Sequence, residues 1–296
     1  MTNISIIIPT KDELNVKNIL KDIEKNFKRN EIEIIIVDKS KPAIKRKIKR
    51  LGFAVIDQSS NGYENALVEG FKKAKSPILA TIDADGTYSV NDLKSVILEL
   101  KNSDYDFVSG DRSKGLRGLK FYIWFGNKFL TKLFNLLYHK KMHDVLSGVF
   151  AMKKEVFDKI KYDDAFRAGT LFFEIDAVRR GYSIKDIPIS YADRLNTKSR
   201  ITKSKPIYGL FIAFYSIKYA RDYKPLLLFG ILGVIFIVAG LIIGAFVIQN
   251  YIATGTLIEV GRALISFMLI VLGFLSIITG LILDMLSEIE KVMLRK

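Results

Sequence analysis

Apolar and polar positions follow two alternating rhythms along the first third of the chain. Short β-branched runs occupy residues 4–9 (ISIIIP), 32–38 (IEIIIVD), 53–57 (FAVID), 78–83 (ILATID) and 106–110 (DFVSG). Between them, 14–27, 42–51, 63–74 and 91–101 space their apolar residues as amphipathic helices do. This βαβα order predicts a mostly parallel sheet with helices on both faces. Ligands meet such sheets at the carboxyl ends of the strands. The polar residues just after each run are therefore the candidates for chemistry: Thr10 to Glu13, Asp38, Asp83 to Asp85, and Asp111 with Arg112.

The pattern then changes. Residues 119–138 (LKFYIWFGNKFLTKLFNLLY) are rich in aromatic residues and poor in charge. They read either as a core helix or as a helix at a membrane interface, where Trp, Tyr and Phe are favoured. Residues 206–224 (PIYGLFIAFYSIKYARDYK) repeat the pattern beside a long apolar run and end in basic residues, which predicts an amphipathic interfacial helix. Residues 226–248 and 263–283 carry no charge over 23 and 21 positions. Each is long enough to cross a hydrocarbon core of about 30 Å. Lys218, Arg221 and Lys224 precede the first span; Lys291, Arg295 and Lys296 follow the second; the connector 249–262 holds one basic residue, Arg262. The basic flanks place both ends in the cytoplasm of a multi-pass cell-membrane protein. Small residues along the first span (Gly230, Gly233, Ala239, Gly240, Gly244) predict close helix packing, within the chain or between copies of it in a homo-oligomer.

Charge sharpens the division. The chain has 296 residues and a net charge of +15. From residue 225 onward, four acidic and four basic residues cancel, so the excess lies on 1–224. A basic unit beside membrane spans suits an acidic substrate or an anionic lipid surface. No nucleic-acid-binding module is legible. The absence of cysteine excludes disulfides and thiolate metal sites. The opening residues lack the basic stretch and long apolar run of a secretory signal, so the first unit is expected to stay cytoplasmic.

Asp83-Ala84-Asp85 follows the run at 78–83. Carboxylates at i and i+2 leave a strand on the same side, where they can share Mg²⁺ or Mn²⁺ through hard oxygen ligands. The other reading is a solvated turn, since Asp85-Gly86 is itself a turn signal. The surrounding motifs bear on this choice. Pro9-Thr10-Lys11-Asp12-Glu13, Asp38, Asn61-Gly62-Tyr63, Ser109-Gly110-Asp111-Arg112, Asp144-Val145-Leu146-Ser147-Gly148, Phe172-Phe173-Glu174-Ile175, Ile187-Pro188-Ile189-Ser190-Tyr191 and Arg194 with Ser199-Arg200 come in that order. Together they resemble the family-two glycosyltransferases of the polyprenyl-phosphate hexose synthase type, over about residues 4–205. Three positions depart from that family's pattern. Asp38-Lys39-Ser40-Lys41 stands where two acids, Ser and Gly are usual, Thr87 where Gln is frequent, and Arg200 where Lys is frequent. The first departure bears on the nucleotide base and the second on the sugar.

The resemblance implies an α/β fold: a GT-A (Rossmann-like) nucleotide-sugar-binding domain at 1–205, an amphipathic juxtamembrane helix at 206–224 and a two-span transmembrane domain at 225–296. It implies that Pro9, Thr10, Glu13 and Asp38 hold the nucleoside, and that Asp83, Ala84 and Asp85 hold the donor with Mg²⁺ or Mn²⁺. Asp85, Arg112, Asp144 and Arg194 are the implied catalytic group. Arg112, Arg194, Lys198, Ser199 and Arg200 would gather the acceptor's phosphate, unless the cations are solvated surface charges. Asp144 would orient the acceptor or the donor sugar, or else cap the next element. Glu174 would bind sugar hydroxyls or pair with a buried Arg. His139 and His143 read as surface residues. The implied reaction is inverting transfer of a hexose or N-acetylhexosamine from a UDP- or GDP-sugar to polyprenyl or dolichyl phosphate. Its rivals are transfer to another lipid-linked or polymeric acceptor, and a non-catalytic membrane scaffold.

Overall fold

The structure, a computed structural model, describes residues 2–13, 15–115, 121–160, 169–191, 214, 225–256 and 260–294. Of these, the side chains of 121–123 and 290–294 are left undescribed. The chain divides into two units, Met1–Ser216 and Ile217–Lys296.

The first unit is a three-layer α/β structure. Its strands are β1 (Ile4–Thr10), β2 (Ile32–Asp38), β3 (Ala54–Asp57), β4 (Ile78–Thr81), β5 (Phe107–Asp111), β6 (Phe150–Lys153) and β7 (Ile184–Pro188). Its helices are α1 (Val16–Asn26), α2 (Pro42–Lys49), α3 (Tyr63–Lys73), α4 (Val90–Asn102), α5 (Phe121–Tyr138), α6 (Lys154–Lys159) and α7 (Leu171–Arg179). One sheet runs in the order β3-β2-β1-β4-β6-β5-β7. Only β6 is antiparallel to its neighbours, β4 and β5. The parallel strands read from the sequence are present, and β6 and β7 extend them.

The Ile-rich runs explain the layering. All seven residues of β1 are buried, which is what a strand covered on both faces requires. Alternation sends Ile6, Ile8, Ile34 and Ile36 into one core with Ile19, Leu20 and Ile23 of α1 and Leu93, Val96 and Ile97 of α4. Ile7 and Val37 face the other way and meet Gly70 of α3, where a Cβ would lie 2.6 Å from Ile7 Cγ2. Phe71 beside it packs on Phe150, Phe157 and Phe173, with ring centroids 5.3–6.0 Å apart. Ser89 caps α4 by accepting from the Asn91 N–H at 3.1 Å, leaving Asp83 to Tyr88 as the turn between β4 and that helix. The run ends as a strand at Thr81, although Ile82 still donates to the Ile7 carbonyl at 3.3 Å.

The α5 helix is a core helix on one side only. Leu130, Phe134, Leu137 and Tyr138 are buried, while Phe125, Phe129 and Leu136 are exposed. The interfacial helix expected at 206–224 lies outside the described residues except for Phe214, which is exposed.

The second unit is a helical hairpin of α8 (Pro225–Thr254) and α9 (Val260–Leu294). Each has a 30-residue apolar stretch, spanning about 45 Å at 1.5 Å per residue, and within it an 18-residue window of high mean hydropathy, 3.1 and 2.6. Both are long and apolar enough to cross a membrane. The glycines let the backbones touch: a Cβ on Gly233 would lie 2.6 Å from the Gly273 carbonyl oxygen. Ser266 donates across the pair to the Gly240 carbonyl, and Ser276 to that of Phe229, both at 2.7 Å.

Candidate active site

The carboxyl ends of β1 and β2 stand in register, with Thr10 opposite Asp38. Asp38 is fully buried. Its Oδ1 accepts from Ser40 N at 3.2 Å and Ser40 Oγ at 2.5 Å. Its Oδ2, like the Thr10 hydroxyl, has no hydrogen-bond partner among the described residues. Burying such atoms unpaired is costly, so the pair marks a place for a ligand that presents N–H or O–H groups. Asp12, at φ +50°, closes the loop: its N–H donates to Ser40 Oγ at 2.6 Å and its carboxylate accepts from Lys41 N at 2.7 Å. Pro9 is buried at the end of β1, and half-buried Glu13 accepts from the Asn15 N–H. The unusual Lys39 has a local use: its ammonium reaches the carbonyls of Ser59 and Ser60 at 3.3 and 3.2 Å, tying this loop to the one after β3.

Across the sheet, Asp83, Ala84 and Asp85 form the turn after β4. Gly86 takes φ +79° there, a conformation costly for other residues. Asp83 accepts from the Tyr63 hydroxyl of α3 at 2.7 Å. Burial, then the Asp83 charge, raises the Tyr63 pKa well above its ordinary value, so the phenol keeps its proton for that bond. Asp85 is oriented by Thr87, whose hydroxyl and N–H donate to its Oδ1 at 2.7 and 3.1 Å. Thr87, in the place often held by Gln, thus sets the rotamer of the second acid.

Behind this turn lies a buried ion pair. Arg112, just past β5, donates from Nε to Asp144 Oδ2 at 2.6 Å and from Nη2 to Oδ1 at 2.9 Å. The Arg112 and Leu146 N–H groups also donate to this carboxylate, at 3.1 and 3.0 Å. Burial opposes both charges. The Arg112 charge nevertheless leaves the Asp144 pKa lowered, and Asp144 leaves that of Arg112 raised. The four acceptor bonds occupy the lone pairs of Asp144, so it holds Arg112 and shapes the 144–146 turn. Arg112 has five N–H groups, of which two remain after Asp144 and the Tyr88 hydroxyl, 3.2 Å from Nη1.

Other predicted residues distribute unevenly. Glu174 of α7 is 1% exposed and makes no ion pair with Arg112, which Asp144 already holds. Its Oε2 lacks a hydrogen-bond partner among the described residues. Burial, and next the Asp144 charge, raises its pKa well above the usual carboxylate range. His143 is a surface side chain, as expected, yet its ring faces Asp186 at 3.2 Å, and that contact raises its pKa. Asp186 of β7 also accepts from the N–H groups of His143 and Asp144, fastening the segment that carries Asp144. Asp111, His143 and Asp186 bring ligand atoms within 4.8 Å of one another. Arg194, Lys198, Ser199 and Arg200 lie outside the described residues.

Two residues were not legible as partners of the acidic turn. A Cβ on Gly148 would fall 2.9 Å from Asp83 Cγ and closer still to Oδ2, so a glycine is required for Asp83 to sit there. Tyr88 takes the Gly148 N–H onto its hydroxyl at 2.8 Å. The available hint was an aromatic residue inside a polar turn, which must bury its ring and pair its hydroxyl.

Asp83 and Asp85 offer hard oxygen donors at a strand end, as Mg²⁺ or Mn²⁺ requires. The Arg112 charge, the one buried Lys or Arg among the described residues, is taken up by Asp144 and does not neutralise these acids. The residues therefore fit a divalent metal.

Known proteins resemble this chain in sequence and in fold. Residues 5–161 match the family model for glycosyl transferase family 2. The chain is 29% identical to a dolichyl-phosphate hexose transferase of Haloferax volcanii, over 67% of this chain and 84% of that protein. It is 24% identical to the low-salt glycan biosynthesis hexosyltransferase Agl6 of the same organism, over 64% of this chain and 48% of that one. Glucosyl-3-phosphoglycerate synthase from Mycobacterium tuberculosis, solved with Mn²⁺, UDP and phosphoglyceric acid, shares the fold. It has a TM-score of 0.61 and 15% identity, over 74% of this chain and 78% of that one. The same enzyme is also solved with Mg²⁺ and UDP.

Proposed function

The chain belongs to glycosyl transferase family 2, and on that premise we propose that it moves a hexose, or an N-acetylhexosamine, from a UDP- or GDP-sugar to polyprenyl or dolichyl phosphate in a membrane. One observation carries the reading: the acidic turn Asp83–Asp85 and the buried Arg112–Asp144 pair share a wall, Gly148 and Tyr88, at the ligand edge of the sheet. A site for a diphosphate leaving group and a guanidinium for a second phosphate thus stand side by side. The likeness to a dolichyl-phosphate hexose transferase and the two apolar helices support a lipid acceptor.

In this reading Pro9, Thr10, Glu13 and Asp38 form the nucleoside end, with Asp38 Oδ2 accepting an N–H or O–H from it. Asp83, Ala84 and Asp85 form the diphosphate end, where Mg²⁺ or Mn²⁺ would neutralise charge on the leaving group. The two remaining N–H groups of Arg112 meet the acceptor's phosphate, joined by Arg194, Lys198, Ser199 and Arg200 from outside the described residues. Glu174 offers its carboxyl group to the sugar or to the back of the Arg112 pair. The acceptor oxygen attacks the anomeric carbon, the bond from that carbon to the diphosphate breaks, and configuration inverts. A phosphate monoester with a second pKa near 6 arrives ionised, so no side chain has to remove a proton, consistent with an Asp144 already saturated by donors. The catalytic unit and both termini face the cytoplasm of the cell membrane, and the paired spans anchor the chain in the bilayer that carries the acceptor.

The test is to incubate the purified full-length protein with dolichyl phosphate, Mg²⁺ or Mn²⁺ and a panel of UDP- and GDP-sugars, and weigh the lipid product. A dolichyl-phosphate mass raised by one sugar is expected. Release of nucleoside diphosphate with dolichyl phosphate unchanged under every donor would exclude this acceptor and favour another lipid-linked or polymeric one. Absence of turnover with any donor or acceptor would favour a membrane scaffold.

A further inference from the structure

The acidic turn and the Arg112–Asp144 pair come from different connections of the sheet, one after β4 and the others after β5 and before β6. The Tyr88 hydroxyl stands between them. It accepts from Gly148 N at 2.8 Å and from Arg112 Nη1 at 3.2 Å. Its ring is 4% exposed and meets Tyr191 edge-on, with centroids 5.6 Å apart. The Tyr191 ring also lies 5.5 Å from Arg112 Cζ. On the other side, Gly148 faces both the Asp83 carboxylate and the Tyr88 ring; a Cβ there would be 3.0 Å from Tyr88 Cε2. One phenol oxygen thus fixes the glycine that walls Asp83 and the guanidinium that Asp144 holds.

We propose that Tyr88 is a positioning residue that sets the separation between the Asp83 carboxylate and the Arg112 guanidinium, and so between the leaving diphosphate and the incoming phosphate. The inference rests on the transferase reading above. Tyr88 gives up no proton. Burial, opposed by the Arg112 charge, keeps its pKa above the ordinary phenol value, so its oxygen accepts both N–H groups throughout the working pH range. Without those bonds Arg112 keeps its two contacts to the Asp144 side chain but loses the brace on its far nitrogen. The Gly148 N–H, buried with it, loses its acceptor. The guanidinium is then held from the Asp144 side alone and can tilt on that pair, while the acidic turn stays anchored by Tyr63 and Thr87. Transfer geometry suffers more than donor binding.

Tyr88→Phe keeps the ring and its contact with Tyr191 and removes the acceptor. In the full-length protein, turnover is counted as nucleoside diphosphate released, which registers transfer to lipid phosphate, to another acceptor or to water. Affinity for UDP or GDP with Mn²⁺ is measured by calorimetry. The variant is expected to bind the nucleotide as wild type does, with kcat lowered about tenfold to a hundredfold, as a displacement approaching ~1 Å brings. Combined with Arg112→Lys it should lose little more, because residues acting through one another are not additive. A wild-type kcat would overturn the proposal. So would a loss that multiplies in full with that of Arg112→Lys, or one matched by an equal loss of folded protein in thermal melts. If wild type releases nucleoside diphosphate but forms no lipid-linked sugar, the acceptor reading falls while the Tyr88 comparison still stands on the same release rates.

Discussion

Gly148→Ala puts one methyl group where the structure has no room for it. The new Cβ would lie 2.9 Å from Asp83 Cγ and 3.0 Å from Tyr88 Cε2, against about 3.5–4.0 Å for relaxed carbon contacts. The Asp83 carboxylate must therefore retreat by about 0.5–1 Å, since Tyr88 is held by its neighbours. A metal ligand is displaced from its proper distance by shifts beyond ~0.2 Å, and a misplacement of about 1 Å can cost ~10²-fold in rate. Turnover is thus expected to fall about a hundredfold, with weakened cation-dependent nucleotide binding. Stability should fall as well, by the roughly 1–3 kcal/mol that such overpacking costs, so turnover is compared per folded protein. Gly70→Ala makes the matching control: its Cβ would be 2.6 Å from Ile7 Cγ2 and 3.0 Å from Val37 Cγ2, away from the acidic turn. It should lower the melting temperature and leave the activity of the folded fraction intact. The assays are nucleoside diphosphate release, calorimetry with Mn²⁺ and UDP or GDP, and thermal melting. Gly148→Ala with wild-type turnover and cation dependence would refute the placement of Asp83 in the site.

Asp83→Asn and Asp85→Asn should each abolish cation-dependent turnover while the protein still folds, which a release assay with and without EDTA will read. Arg112→Lys keeps the charge but loses the two-pronged bond to Asp144, so kcat should drop at least tenfold with donor affinity held. Asp144→Asn leaves Arg112 buried without its counter-charge and should cost about 3–5 kcal/mol in denaturant unfolding. The Asp144 contribution itself is present above the unfolded carboxylate value of 3.8 and is lost as pH falls through its lowered folded pKa. Glu174 has the opposite sign. Its raised folded pKa contributes stability that is complete below the unfolded value of 4.5 and is lost as pH rises through the folded one. Glu174→Gln, neutral at every pH, should therefore gain on wild type as unfolding is measured from pH 5 to pH 8. A difference independent of pH would show that Glu174 is ionised in the folded protein.

The strand and helix order of residues 4–111 was written in local pattern. Runs such as ISIIIP and IEIIIVD bury both faces, and their alternation with helical segments selects a parallel sheet for them. The two apolar helices were equally plain, because crossing hydrocarbon demands length and apolar character and little else. Asp83 and Asp85 were legible too, since a strand end followed by two acids is a local feature. What the pattern left open depended on neighbours distant in sequence. β6 and β7 are short strands of four and five residues whose place is decided by pairing with β4 and β5. The α5 helix read as core or as interface and is buried on one side only, a fact that its partners determine. Arg112 read as a free cation for phosphate. The fold brings Asp144, 32 residues onward, against its guanidinium, and a buried charge takes the partner it is given. Tyr88 showed only an aromatic residue inside a polar turn, and Gly148 only a place in a motif; neither pointed to the other. Their importance arises because chain 60 residues apart closes on one hydrogen bond, and close packing leaves no space there for a side chain. Local chemistry thus named the acids, while the distances that make them a site came from tertiary contact.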